Sequence, residues 1–136
     1  MEERFMKVAL KQAEIAFSKG DVPVGAIIVK DNKIIAKAYN KKENTNNVTD
    51  HAEIIAIKKA CKRLNDWRLN ECVMYVTLEP CSMCMGAIQQ SRIVKVIYGA
   101  KNTNEIDCQK PTIYGEVLEN ECAEMLRDFF QSKRKS

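Results

Sequence analysis

Apolar residues recur at helical spacing from the start of the chain. Phe5, Val8, Ala9, Ala13, Ala16 and Phe17 share one face of a helix predicted over residues 2–18. Lys19-Gly20-Asp21 stops it. The period then shortens. Residues 24–30 and 33–39 are rich in strand-forming residues, and Asp31-Asn32 between them reads as a tight hairpin turn. Residues 40–50 are polar and read as a loop. Helical spacing returns near Asp50 or His51, with Ile54, Ile57, Cys61 and Leu64 on the apolar face. Lys58, Lys59, Lys62 and Arg63 occupy the other faces, as a solvated surface or, less favoured, an RNA contact. Residues 72–78 are almost continuously apolar, which predicts a central strand buried on both faces. A helix follows from residue 81 to about 90, then a second buried strand over 93–98 and a weaker strand within 112–118. Cys122, Met125, Leu126 and Phe129 form the stripe of a C-terminal helix.

This order predicts an α/β protein. Parallel strands need crossovers, and the helices that follow the strands supply them. The expected architecture is a three-layer α/β/α sandwich with a mixed central sheet. No linker, repeat or low-complexity tract interrupts residues 1–136, so the whole chain reads as one domain.

Composition narrows the class. A hydrophobic content of 46% with 29% charged residues is an ordinary soluble balance, and no apolar run approaches the roughly 20 residues of a membrane span. The start, Met1-Glu2-Glu3-Arg4, opens a polar amphipathic segment and does not resemble a signal peptide, so the cytoplasm is expected. Six cysteines are then expected to stay reduced. Cys61, Cys72 and Cys122 fall on apolar faces and read as core, whereas Cys108 lies in a polar segment and has no assignment. The net charge of +4 permits an anionic partner without requiring one.

The chemistry concentrates in two short motifs. Cys81 and Cys84, just after Pro80, stand one helical turn apart and can grip one metal ion. His51, the only histidine, heads His51-Ala52-Glu53. One His and two Cys leave the fourth position of a tetrahedral Zn²⁺ open for water, as in a catalytic site. Glu53 is the right kind of residue to handle that water's proton. H-x-E followed by P-C-x-x-C is the signature of zinc-dependent nucleobase deaminases. Such hydrolysis needs a nucleophile at neutral pH, which zinc supplies by lowering the pKa of water from 15.7 towards ~7. Two thiolates weaken that effect, and the positive ends of two helices can compensate. One carboxylate can serve as base and then as acid.

Blander readings exist for each part. Asp50-His51-Ala52-Glu53 also matches a helix capping box. A Cys-x-x-Cys pair can be redox-active or belong to a zinc knuckle, and Pro80 suits a helix start regardless of function.

Pro23-Val24-Gly25-Ala26, Asn40, His51-Ala52-Glu53, residues 75–84, Ser91-Arg92 and Phe129-Phe130 together resemble the bacterial tRNA-specific adenosine deaminases, in the cytidine/deoxycytidylate deaminase superfamily. The resemblance covers most of residues 5–100 and returns in the last helix. It implies a cytidine-deaminase-like fold, a homodimer, and conversion of the wobble adenosine in a tRNA anticodon loop to inosine. It makes His51, Cys81 and Cys84 zinc ligands, Glu53 the proton shuttle and Asn40 a contact of the target base or its ribose; Val24 and Phe130 are further candidate substrate contacts. Met83, Met85 and Ile88 offer either a dimer face or monomer core. Phe130 with Lys133, Arg134 and Lys135 offers a platform for an unstacked base, or merely packs beside a solvated tail. Two departures stand out: Asp50 replaces a usually small residue, and residues 101–115 form a short segment. Both leave open a second function, deamination of a free base or nucleoside such as guanine or cytosine. A non-enzymatic zinc module is the third, disfavoured by the open coordination position and Glu53.

Overall fold

The computed structural model describes residues 2–101 and 112–134, with the side chains of residues 112–114 and 133–134 outside the description. Among these, the chain runs α1 (Glu2–Ser18), β1 (Gly25–Lys30), β2 (Lys33–Tyr39), α2 (Lys42–Thr45), α3 (Ala52–Leu64), β3 (Cys72–Leu78), α4 (Ser82–Gln90), β4 (Lys95–Ala100), β5 (Thr112–Tyr114) and α5 (Glu119–Arg134). The strands form one mixed sheet in the order β2-β1-β3-β4-β5. β1 pairs antiparallel with both β2 and β3, while β3, β4 and β5 run parallel.

The sheet is apolar on both faces because its strands alternate between two cores. Ala26 and Ile28 of β1, Met74 and Val76 of β3, and Val96 and Tyr98 of β4 face the layer of α3 and α4, meeting Ala52, Ala56, Met85 and Ile88. Ile27, Val29, Tyr75 and Ile97 face the other way, against Phe5, Met6 and Ala9 of α1. α5 joins that second layer, where Phe129 meets Phe17 edge-on at 5.7 Å between ring centroids. The three-layer α/β/α sandwich is therefore the observed fold.

Local chemistry explains several boundaries. Asp31 and Asn32 both take positive φ (50° and 63°), the geometry of a two-residue hairpin turn matched to strand twist. A Cβ on Gly25 would collide with the Ala9 carbonyl, so only glycine lets α1 lie this close to β1. The α3 helix ends on Asn65 in the left-handed conformation.

Some expectations need correction. The polar stretch 40–50 contains the short helix α2. On α3 the buried face is Ala52, Glu53, Ala56 and Ala60, while Ile54, Ile57, Cys61 and Leu64 are only half-buried. Small residues let α3 lie flat on β1 and β2, and the larger side chains Ile57, Cys61 and Leu64 fill the flanks. β4 starts at Lys95 rather than residue 93, although Ile93 is buried just before it. The short strand β5 lies within the predicted 112–118 stretch, at Thr112–Tyr114. Lys58, Lys59, Lys62 and Arg63 are exposed, and Lys59 Nζ donates to the Lys37 carbonyl at 2.8 Å. The five described cysteines are free thiols, and Cys108 lies outside the described residues. No described helix is long and apolar enough to cross a membrane.

Candidate active site

The topology explains why two motifs thirty residues apart meet. β2 and β3 are both antiparallel to β1, so they point the same way and their chain exits lie at one end of the sheet. The exit from β2 leads through α2 to His51 at the start of α3, and the exit from β3 leads to Cys81 at the start of α4. His51 and Cys81 are both N-cap residues with extended backbone (φ −75°, ψ 152° and φ −73°, ψ 173°), and neither side chain caps its own helix. Their side chains turn to each other instead. Cys84 sits one turn into α4, fully buried.

His51 Nδ1 lies 3.8 Å from Cys81 Sγ and 3.4 Å from Cys84 Sγ, and the three donor atoms fall within 4.8 Å of one another. A tetrahedral zinc ion bonded at about 2.3 Å to sulfur and about 2.0–2.1 Å to nitrogen sets its nitrogen and sulfur ligands about 3.6 Å apart. The two observed distances bracket that spacing, so the donor set fits the ion. The protonation pattern fits as well. The Cys84 thiol donates to Cys81 and, with His51, drives the Cys81 pKa down to about 3. Cys84 is driven the opposite way, because Cys81 and burial hold its proton. His51 is raised, first through its hydrogen bond to Cys81. A cation entering this nest replaces those protons as the common partner of the three side chains.

Glu53 is 4% exposed, and burial pushes its pKa up to about 7 against its own backbone N–H and the charge of His51. Its carboxyl lies within hydrogen-bond reach of Cys84, so it faces the cysteine cluster. The capping box does not form. The N-cap is His51, one residue later than that motif requires, and Asp50 Oδ2 instead accepts Thr45 Oγ1 at 2.7 Å. Asp50 thereby closes the 41–50 loop, and Lys41 N–H donates to its carbonyl at 2.9 Å.

These groups open into a pocket of about 160 Å³ lined by Val22, Val24, Asn40, Lys42, His51, Glu53, Leu78 and Cys81. That is below the roughly 300–1,000 Å³ of ordinary small-molecule sites, a size for one ring system. Val24 and Asn40, both singled out from the sequence, are brought to it. Lys42 adds a positive wall, and the Lys41 and Lys19 ammoniums lie 5.0 and 5.3 Å from the centre of the Tyr39 ring, next in the chain to Asn40.

Phe130 does not line this pocket. It is 46% exposed, edge-on to Phe129 at 5.3 Å. With Phe129, Gly20, Val22 and Glu43 it lines a neighbouring groove of about 410 Å³, and Val22 forms part of both walls. Lys133 and Arg134 have side chains outside the described set, and Lys135 lies outside it altogether. Of the face proposed for dimer contact, Met85 and Ile88 are core, filling the space between α4 and the sheet, while Met83 is 38% exposed.

Asp21 escaped the sequence reading, which saw it only as part of a helix stop. It is fully buried and accepts hydrogen bonds from Asn40 Nδ2 and the backbone of Glu43, among others. The available signal was an acid a few residues before a buried strand, in Asp21-Val22-Pro23-Val24.

A mixed α/β/α sandwich with a His-Cys-Cys cluster at two helix starts and a buried glutamate beside it defines a deaminase class of protein. The family model of the MafB19-like deaminases matches residues 1–134, and this chain belongs to that family. Among named proteins, it is 47% identical to the tRNA-specific adenosine deaminase of Aquifex aeolicus (strain VF5), over 98% of this chain and 96% of that one. It is 41% identical to the tRNA-specific adenosine deaminase of Bacillus subtilis (strain 168), over 98% and 91%. The Aquifex alignment runs over 148 positions against a chain of 136 residues, so the relative carries residues this chain lacks. Among solved structures, one from a study of A-to-I editing by tRNA:A34 deaminases at the wobble position superposes with a TM-score of 0.86 at 38% identity, covering 90% of this chain and 99% of that one. The guanine deaminase of Bacillus subtilis superposes with a TM-score of 0.71 at 43% identity, covering 75% and 66%.

Proposed function

We propose that this chain is a single zinc-dependent deaminase domain that converts the wobble adenosine of a tRNA to inosine. The observation that carries the substrate is the end-to-end match, at 47% identity, to a tRNA-specific adenosine deaminase. The guanine deaminase shares a similar identity but aligns over only 66% of its own length, which favours the tRNA reading over the free-base reading.

His51, Cys81 and Cys84 would hold one Zn²⁺, whose role is to supply a nucleophilic water at neutral pH. Glu53 takes a proton from the attacking water and delivers it to the ring nitrogen next to the carbon under attack. It then carries a second proton to the departing amine. The balance is adenosine plus water to inosine plus ammonia. Burial against the cysteine cluster holds the Glu53 carboxyl where such a proton carrier is needed. Val24 and Leu78 supply apolar walls for the base, and Asn40 supplies polar contact with the base or its ribose. The small pocket takes one base flipped out of its strand. Lys42 in the wall, with Lys41 and Lys19 nearby, suits a substrate that carries phosphates. Phe130, across Val22 from the pocket, serves a neighbouring unstacked base of the anticodon loop. The chain works in the cytoplasm as a homodimer. The family resemblance supports that state, and Met83 is the side chain of the proposed face left available for contact.

The test is a product assay on bulk tRNA beside a panel of free bases and nucleosides. Inosine at the wobble position is the expected product. Release of ammonia from guanine or cytosine, with tRNA untouched, would replace this reading by the free-base one.

A further inference from the structure

The pocket wall is assembled around one buried charge. Asp21 has 0% exposure, and no Lys, Arg or His forms an ion pair with it among the described residues. Only N–H donors satisfy it. Oδ1 accepts Val22 N at 3.1 Å and Asn40 Nδ2 at 3.0 Å. Oδ2 accepts Glu43 N at 2.9 Å, Asn44 N at 3.2 Å and Asn44 Nδ2 at 3.1 Å. Three separate pieces of chain are tied by these bonds: the segment after α1, the end of β2, and α2. Each carries a residue of the pocket lining, Val22, Asn40 and Lys42 respectively.

The bond to Asn40 has a chemical consequence. Both Asp21 oxygens accept N–H donors here, so Oδ1 admits only the NH₂ end of the Asn40 amide. The carbonyl oxygen must then point away from Asp21. Were the amide to turn over, its oxygen would face a buried carboxylate oxygen, and both would lose a donor.

We propose that Asp21 is a positioning residue for substrate recognition: it fixes the Asn40 amide so that its carbonyl oxygen is offered to a donor on the substrate. This inference rests on the reading of the pocket above and deepens it. On adenosine the base edges are mainly acceptors, apart from the amine that leaves. The donor that matches is therefore a ribose hydroxyl, which a nucleotide in RNA has and a free base lacks. Asp21 touches neither Glu53 nor the cysteine cluster, so its loss acts on binding.

The experiment is a double-mutant cycle with Asp21→Asn and Asn40→Ala, read as KM and kcat on an anticodon stem-loop, with zinc content measured for each variant. Asp21→Asn should raise KM about ten- to hundredfold, change kcat by less than about threefold, and keep one zinc per chain. In the Asn40→Ala background the same substitution should change KM by less than about threefold. Equal factors in both backgrounds, loss of zinc, or no change in KM would each overturn the proposal. Should Asp21→Asn fail to fold, NMR on the wild-type holoenzyme decides. One Asn40 side-chain amide proton should exchange slowly with solvent, and free exchange of both contradicts the bond. A wild type inactive on the stem-loop but active on a free nucleoside sinks the tRNA reading alone, because the cycle is then run on that nucleoside; a wild type that converts only a free base, which has no ribose, overturns this proposal as well.

Discussion

Replacing Glu53 by Gln should slow turnover while stabilising the metal-free protein at higher pH. Gln keeps the size and one oxygen but cannot ionise. Burial moves the Glu53 carboxyl from 4.5 to about 7. Between those values the folded chain keeps a proton that the unfolded chain has released. Wild-type stability therefore falls as pH rises through this window. The penalty is absent below the lower value, grows through the window and is complete above the upper one. A shift of this size corresponds to about 3.5 kcal/mol at most, since one pH unit is worth about 1.4 kcal/mol. For a chain of this length each kcal/mol moves Tm by roughly 3–5 °C. The melting-temperature difference between Glu53→Gln and wild type, both treated with chelator, should thus widen by roughly 10 °C from about pH 5 to about pH 8. A constant offset from the new amide does not matter; the slope does. A difference that stays flat with pH would refute the burial argument. In the zinc-loaded enzyme, Glu53→Gln should lose about a hundred- to ten-thousand-fold in kcat. Near-normal turnover would remove Glu53 from the chemistry.

Other consequences are equally direct. Cys81→Ala should abolish stoichiometric zinc, and it should also lower Tm because the site joins the starts of two helices; elemental analysis of protein purified without chelator is the check. Ala56→Leu should cost about 1–3 kcal/mol by overpacking the contact of α3 with the sheet, whereas Ile54→Ala, on the half-buried side, should cost less in the same denaturant titration. Phe130→Ala should reduce kcat/KM on tRNA while leaving any activity on a free nucleoside unchanged, and equal effects on both substrates would exclude a platform role. Sedimentation at micromolar concentration should show a dimer, and a fully active monomer would dismiss the homodimer.

Much of this molecule can be read along the chain, because the relevant signals are local. The change from helical to strand period around residue 24 marks the end of α1 and the hairpin. Asp31-Asn32 carries its own turn chemistry, and the spacing of Cys81 and Cys84 is one helical turn in any fold that makes α4. The almost continuous apolar run of β3 announces burial on both faces before any neighbour is known. The motif pair nominates the three donor side chains, but nothing local places His51 beside cysteines thirty positions away. That follows from β2 and β3 sharing a direction on either side of β1.

The tertiary structure alone decided three further points. Periodicity put Ile54 on the inner face of α3 because hydropathy weights isoleucine above alanine. Against a sheet the closest approach belongs to the smallest side chains, so Ala52, Ala56 and Ala60 lie inside. Met85 and Ile88 were equally suited to a core or an interface, and the space between α4 and the sheet settled them as core. Asp21 is the clearest case. A carboxylate can be buried only where enough donors surround it, and its donors come from Val22, Asn40, Glu43 and Asn44. All but Val22 lie about twenty residues further on, so only the folded chain brings them together to hold the charge that shapes the pocket.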